Sequence, residues 1–414
     1  MNVRTSIAGL SLLAASAVAC SASPQPTRES GEELGRVASP VIKGKDSDKS
    51  QDAVVLLVHF DPTKGEVGSC TGTMLSDRLV LTARHCVADT DESAACDIDG
   101  KPLAQGEVRG NHKPETLYVF VGPDRPDFGS RDVKPDGQGA KILDDGGKNL
   151  CNHDIAMVVL KDPIPNAKIA PIRLDAPIKK GELLTAVGWG VTDTTRSPDV
   201  RQQRTGIVVE GIGPDDTTPF PVPPNEFEVG ESICSGDSGG PALAKTNAIV
   251  GVVSRGGNAR KPDPQNPASS CIDGSNLYTK VAPFKDFILG GYALVEADPW
   301  LENGADPRLL KPGSVCTDGG ECRSNLCLLD PAGAAGATTC AEDCSVNACP
   351  EGRVCTVEGE AQVCRAPAPP VTKAAATTTT TSGCAAAPGS TSSNGVLGFV
   401  LAALGLVALR RKRA

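Results

Sequence analysis

Ser238 stands in the run Cys-Ser-Gly-Asp-Ser-Gly-Gly-Pro at 234–241. The small neighbours let the backbone bend sharply and leave its N–H groups bare. That setting suits a nucleophilic hydroxyl, because a substrate carbonyl must come close and nearby N–H groups must receive the charge that develops on its oxygen. Serine is a weak nucleophile until a base takes its proton. Four histidines are available. His59 lies inside the apolar run Val54-Val55-Leu56-Leu57-Val58-His59-Phe60 and reads as a strand residue, while His112 sits in the polar, loop-like stretch 109–114. His85 follows the β-type run Leu79-Val80-Leu81, in Thr-Ala-Arg-His-Cys at 82–86. His153 precedes Asp154, which opens the apolar run 155–160. A buried carboxylate is the usual orienter of a catalytic imidazole.

Thr-Ala-Arg-His-Cys, Asp-Ile-Ala-Met at 154–157 and Gly-Asp-Ser-Gly-Gly-Pro at 236–241, in the order His, Asp, Ser, resemble the trypsin/chymotrypsin family of serine endopeptidases. Gly188-Trp189-Gly190 and Val253-Ser254-Arg255-Gly256 fall where that family has its Gly-Trp-Gly and its substrate-pairing Ser-Trp-Gly. The resemblance covers roughly 41–291. It implies an all-β domain of two six-stranded antiparallel barrels with the site in the crevice between them. It also implies the catalytic roles. His85 is the general base and then acid, Asp154 orients it, and Ser238 is the nucleophile that forms an acyl-enzyme. The N–H groups of Gly236 and Ser238 form the oxyanion hole.

In that family the aspartate of the serine motif, here Asp237, pairs with an N-terminal ammonium created by cleavage. The matching terminus is Val41 in Val-Ile-Lys-Gly, which follows Pro40 and not a basic residue. A zymogen cut by a protease other than a trypsin-like one is therefore expected. At the pocket base stands Ser232 in place of an aspartate, with bulky Ile233 beside it. Asn276 falls where glycine is common and should narrow the pocket, whose wall also includes Ser254 and Gly256. Arg255 replaces the usual tryptophan. Small or medium uncharged residues are expected before the scissile bond.

The elements that must position these groups read as short strands. β-type runs recur at 53–60, 78–82, 116–121, 155–160, 183–188, 205–210, 248–254 and 276–281, and 283–292 reads as a terminal helix. The polar stretches 88–115 and 258–270 read as loops. The first carries Asp89, Asp91, Glu92, Asp97 and Asp99, which fit a solvated acidic loop better than a calcium site. No cofactor is expected.

A net charge of −9 leaves no basic field, which argues against nucleic acid as a partner and leaves protein or peptide substrates. The N-terminal 1–19 reads as a signal peptide ending in Ala17-Val18-Ala19-Cys20. Those residues suit ordinary signal peptidase and also resemble a bacterial lipobox with Cys20 as the lipidated residue. Export makes disulfides the first reading of the cysteines. The family pairs Cys70 with Cys86 and Cys234 with Cys271. Cys96 and Cys151 remain, and a bond between them would tether the 88–115 insertion beside Asp154. Leu184 and Ala244 stand where a further family bridge would be.

Residues 20–40 read as a pro-segment, 41–292 as the protease domain and 293–312 as a linker. Residues 313–366 hold eight cysteines and few large apolar residues, so they read as a disulfide-stapled module; zinc is the rival, disfavoured because no histidine lies there. Eight cysteines allow 105 pairings. Residues 367–383 form a Thr/Pro/Ala-rich stalk. Cys384 then opens a tail (384–414) with an apolar segment at 396–409 and four basic residues after it. This tail resembles the MYXO-CTERM sorting signal, with Cys384 as the attachment point; a simple tail anchor is the alternative. The expected location is exported, at a bacterial cell surface or outer membrane or released from it. The expected partners are an activating protease, signal peptidase, sorting machinery and the membrane through both termini. The competing reading is a catalytically silent, protease-like adhesion or binding protein.

Overall fold

The computed structural model describes residues 41–367, except 64, 92, 131, 193–194, 196–197, 262, 264, 267, 331–335 and 346–347. The segments expected to be a signal peptide (1–19), a pro-segment (20–40), most of a stalk (367–383) and a tail (384–414), with Cys20 and Cys384, lie outside the described residues, as does Glu92.

Twelve strands form two closed antiparallel barrels. The first uses β1 (Val54–Asp61), β2 (Glu66–Ser76), β3 (Leu79–Thr82), β4 (Leu117–Phe120), β5 (Gly137–Asp144) and β6 (Ala156–Leu160), in the order β5-β6-β3-β2-β1-β4. The second uses β7 (Leu183–Gly188), β8 (Gln202–Ile212), β9 (Glu226–Val229), β10 (Pro241–Leu243), β11 (Ile249–Gly257) and β12 (Ser275–Lys280), in the order β8-β7-β10-β11-β12-β9 and closed by β8–β9. A two-residue strand, Lys45–Asp46, adds to the edge of β8. Helix α1 (Lys285–Leu294) packs Ile288 and Tyr292 onto the first barrel's core.

Side chains alternate across a strand, which explains why β1 is apolar almost throughout. Val55 and Leu57 enter the first barrel's core. Leu56 and Val58 point the other way, onto Phe120 and Trp189, where the barrels meet. A strand buried on both faces loses the polar half of its pattern.

The seam between the barrels also holds a fully buried guanidinium. Arg201 donates from Nε to Ser47 Oγ (2.8 Å), from Nη1 to Val54 O (2.8 Å) and from Nη2 to Asp48 O and Asp52 Oδ1 (both 3.0 Å). Burial alone would force such a cation toward its neutral form; this set of acceptors is what makes it tolerable.

The stretch 88–115 differs from the expected loop. Ala88–Thr90 pairs with Val108–Asn111, and Ala94–Cys96 pairs with Pro102–Gln105. Asp97 closes the tip, its Oδ1 accepting the N–H groups of Asp99 and Lys101 at 3.0 and 2.7 Å. These strands are only three or four residues long and mostly exposed, so no apolar alternation marks them. Strands β2, β5, β9 and β10 were likewise missed.

Seven disulfides are formed among the described residues. Cys70–Cys86, Cys96–Cys151 and Cys234–Cys271 lie in the barrel region. The remaining eight cysteines pair as 316–327, 322–340, 344–355 and 349–364. The same first-to-third, second-to-fourth pattern thus occurs twice in succession. Each set is accompanied by a strand pair, Cys327–Leu329 with Thr338–Cys340 and Val354–Glu358 with Ala361–Arg365. Residues 293–312 lie against the barrels. Trp300 and Leu301 pack on the first core, the Glu302 carboxylate receives Arg173 Nη2 at 2.8 Å, and Arg308 Nη1 donates to Ala167 O at 2.8 Å. Among the described residues no helix is long and apolar enough to cross a membrane.

Arg201→Met should remove the buried cation and strand its acceptors, lowering unfolding stability by about 3–5 kcal/mol. The urea midpoint of purified variant and wild type reads this directly; an unchanged midpoint would contradict the role given to Arg201.

Candidate active site

His85, Asp154 and Ser238 all lie in connections next to barrel strands. His85 lies in a single 3₁₀ turn (Arg84–Cys86) just after β3, fastened to β2 by Cys70–Cys86. Asp154 lies two residues before the start of β6, whose register against β3 pairs Ala156 with Thr82. Ser238 lies on the turn between β9 and β10, in the second barrel.

Asp154 is fully buried and receives three donors. His85 N–H reaches Oδ1 at 3.0 Å, His85 Nδ1 reaches Oδ2 at 2.8 Å, and Ser254 Oγ donates to Oδ2 at 2.6 Å. Burial pushes the Asp154 pKa up, but the His85 charge and these hydrogen bonds outweigh it and hold it below the ordinary carboxylate value. Burial in turn pulls the His85 imidazole down; the Asp154 charge and hydrogen bond more than reverse this, so its pKa stands above 6.5. The Arg255 cation opposes that rise. His85 and Ser238 line one cleft of about 500 Å³.

The turn bearing Ser238 is locked to the first barrel through Thr71. Thr71 N–H donates to Ser238 O (2.7 Å), its hydroxyl donates to Gly236 O (3.0 Å), and the same hydroxyl accepts from Trp189 N–H (3.2 Å). Thr71 is a functional residue the sequence did not mark, since a threonine in Gly-Ser-Cys-Thr-Gly carries no pattern. Glycine is required at 239, where φ is +78° and a Cβ would lie 2.1 Å from Thr82 Oγ1. Gly236 has φ +100°, again closed to L side chains at low strain.

Asp237 is also fully buried, and among the described residues its donors are backbone N–H groups: Gly190 N–H to Oδ1 at 2.8 Å and Cys234 N–H to Oδ2 at 2.9 Å. Burial pushes its pKa up to about 7, with the two N–H groups and the Arg125 charge pulling the other way. The carboxylate fills the space over Gly188 and Gly190, where a Cβ would lie 2.2 and 2.5 Å from its atoms. That contact accounts physically for Gly-Trp-Gly. Arg125, unmarked by sequence, stacks over Trp189 at 5.4 Å and donates from Nη2 to Trp189 O at 2.7 Å.

Val41 and Ile42 are fully buried, Val41 in the second barrel's core with Ile233 and Ile42 beside the Cys234–Cys271 bridge. Arg204 Nη1 holds Ile42 O at 2.8 Å, and Lys43 Nζ meets Glu231 at 2.7 Å. Val41 has φ +45°, where the Cβ of a β-branched residue crowds the backbone.

Ser232 and Ile233 are buried, and Asn276 Nδ2 donates to Gly230 O at 3.0 Å and to Ser232 Oγ at 3.4 Å. Asn276 Oδ1 occupies the space next to Gly256, 2.3 Å from where a Cβ would stand. Ile233, Ser254, Gly256 and Asn276 all line the cleft, although the Ser254 hydroxyl turns back to Asp154. Of the acidic insertion residues, Asp89 and Asp91 are taken by Arg109 at 2.9 and 2.8 Å, and Asp99 by Lys101 at 3.5 Å.

Residues 50–288 match the family model described as Trypsin. The chain is 28% identical over 238 residues to phenoloxidase-activating factor 3 of Holotrichia diomphalia, covering 52% of this chain and 65% of that relative, just under two thirds of its length. It is 26% identical over 262 residues to snake venom serine protease serpentokallikrein-2 of Protobothrops mucrosquamatus, covering 60% and 86%. Against platelet-aggregating proteinase PA-BJ of Bothrops jararaca the figures are 27% over 229 residues, 53% and 82%.

Thr71→Val should leave Gly236 O and Trp189 N–H without their partner and cost about 1–3 kcal/mol of unfolding stability, with Thr71→Ser close to wild type. Urea unfolding of both variants checks this, and equal losses in the two would show that the methyl and not the hydroxyl matters.

Proposed function

The chain belongs to the trypsin family of serine endopeptidases, and we propose that it cleaves peptide bonds with Ser238 as nucleophile, His85 as general base and acid, and Asp154 as its orienter. The observation that carries this reading is the Asp154–His85 pair, at 2.8 Å and in the same cleft as Ser238. His85 Nδ1–H directed at a buried carboxylate leaves Nε2 as the basic nitrogen, the tautomer that can accept the Ser238 proton. The imidazolium formed in that step is stabilised by Asp154, consistent with the raised His85 pKa. The N–H groups of Gly236 and Ser238 would receive the oxyanion, each worth on the order of 3 kcal/mol of barrier. The acyl-enzyme is then released by water, with His85 returning its proton.

Activation would follow a cut before Val41. A free Val41 ammonium would give Asp237 a cation in addition to the Arg125 charge. The substrate preference would be for small or medium uncharged side chains, since Ser232 brings no anion to the pocket base and Asn276 fills part of it. Residues 41–292 would form the protease domain and 313–366 a two-unit disulfide module fixed to it by 293–312. The seven disulfides fit an extracellular protein. Residues 1–19 would direct export, and Cys20 and the 384–414 tail would hold the protein at the cell surface.

Mature protein beginning at Val41 should be labelled at Ser238 by diisopropyl fluorophosphate, and Ser238→Ala should not; N-terminal sequencing of active material that retains 20–40 would contradict the activation step. On a peptide panel varied before the scissile bond, Ala, Val and Leu substrates should turn over faster than Lys and Arg substrates. Fastest turnover of the basic pair would refute the pocket reading.

A further inference from the structure

Arg255 stands on β11 next to Ser254, lines the cleft, and has its guanidinium turned away from solvent. It makes a two-pronged ion pair with Glu226 of β9, Nη1 to Oε1 at 2.9 Å and Nη2 to Oε2 at 2.7 Å. Glu226 is fully buried. The same guanidinium donates from Nη2 to Cys96 Sγ at 3.1 Å and from Nη1 to Ser254 Oγ at 3.3 Å. Glu226 Oε1 also accepts the N–H of Asn152, two residues before Asp154, at 3.0 Å. Cys151, the residue before Asn152, is bonded to Cys96.

These contacts close a ring around Asp154. On one side, Arg255 touches the Ser254 hydroxyl that donates to the carboxylate. On the other, Glu226 and the Cys96–Cys151 bridge fix the backbone that carries it. We propose that Arg255, held by Glu226, is a positioning residue for Asp154 and His85 and not a wall of the substrate pocket alone. The proposal rests on the triad reading above. It also explains how an arginine is accommodated beside the cleft: its charge is matched by Glu226 and does not face the substrate unpaired.

The charge of Arg255 gives this role a signature that mere packing lacks. Two charges act on the His85 imidazole: Asp154 favours its charged form and Arg255 disfavours it. Arg84, on the same turn as His85, is directed at Asp144 and Asn111, and Asp91, which also lines the cleft, is held by Arg109. Losing the Arg255 cation therefore raises the His85 pKa, and the acid limb of reactivity moves to higher pH.

The test is the pH dependence of Ser238 labelling by diisopropyl fluorophosphate, on protein cut before Val41, for wild type, Arg255→Met and Arg255→Lys. Wild type should lose reactivity as pH falls through a value above 6.5. Arg255→Met should shift that limb up by roughly half a pH unit or more. Arg255→Lys, which keeps the charge but not the fork, should leave the limb in place and slow labelling roughly ten- to hundredfold. Should Arg255→Met not fold, the lysine variant decides the matter alone, because a labelling rate equal to wild type overturns the proposal. An unshifted limb in folded Arg255→Met overturns it as well. Failure of wild type to be labelled at Ser238 strikes instead at the triad reading, so the two failures are told apart.

Discussion

Removing a carboxylate from water costs several kcal/mol unless its oxygens find donors or a cation. Two fully buried carboxylates, Asp154 and Asp237, flank the candidate nucleophile, and much of the cleft is organised by what each of them needs. Asp154 is fully provided for, by His85 through its backbone and ring and by Ser254 through its hydroxyl. Asp237 has two backbone N–H groups and the more distant charge of Arg125, and its pKa of about 7 marks the shortfall. Asp154 thus has a charged partner within hydrogen-bonding reach, and Asp237 has backbone donors with a cation farther off. The buried Val41–Ile42 segment, docked beside Cys234, Ile233 and Glu231, places the candidate source of that cation in the same barrel.

The same logic explains the geometry of the turn between them. Ser238 belongs to the second barrel, while His85 and Asp154 belong to the first, so their alignment depends on how the barrels meet. Thr71 fixes that meeting at Ser238 O, Gly236 O and Trp189 N–H. Arg201 fixes the seam farther from the cleft. Leu56, Val58, Phe120 and Trp189 fill the space between with apolar surface. Polar ties set the register, and apolar packing supplies the adhesion.

What could be read from sequence follows from how much chemistry a residue carries locally. The motifs around His85, Asp154 and Ser238 were legible because glycines and neighbours at fixed spacing have local reasons to be there. The strands rich in Val, Ile and Leu, such as β1 and β6, were legible for the same reason. Strand β2, with Gly68, Ser69, Thr71 and Gly72, was not: its polar residues serve contacts made far along the chain. Strand β9 was missed because Glu226 and Glu228 occupy positions where apolar residues signal a buried strand; Glu226 is tolerated by Arg255, 29 residues away. The eight cysteines of 313–366 announced disulfides, while their pairing in two like sets depends on backbone register that composition does not encode.

We propose that the buried Asp237 carboxylate gains a close cation only when the chain is cut before Val41. Carboxyl ¹³C NMR of Asp237, in Ser238→Ala protein before and after that cut, measures it directly. Asp237 should titrate near pH 7 in the uncut chain, with a midpoint lower by roughly two units or more once the Val41 ammonium is free. The same midpoint in both forms would contradict it.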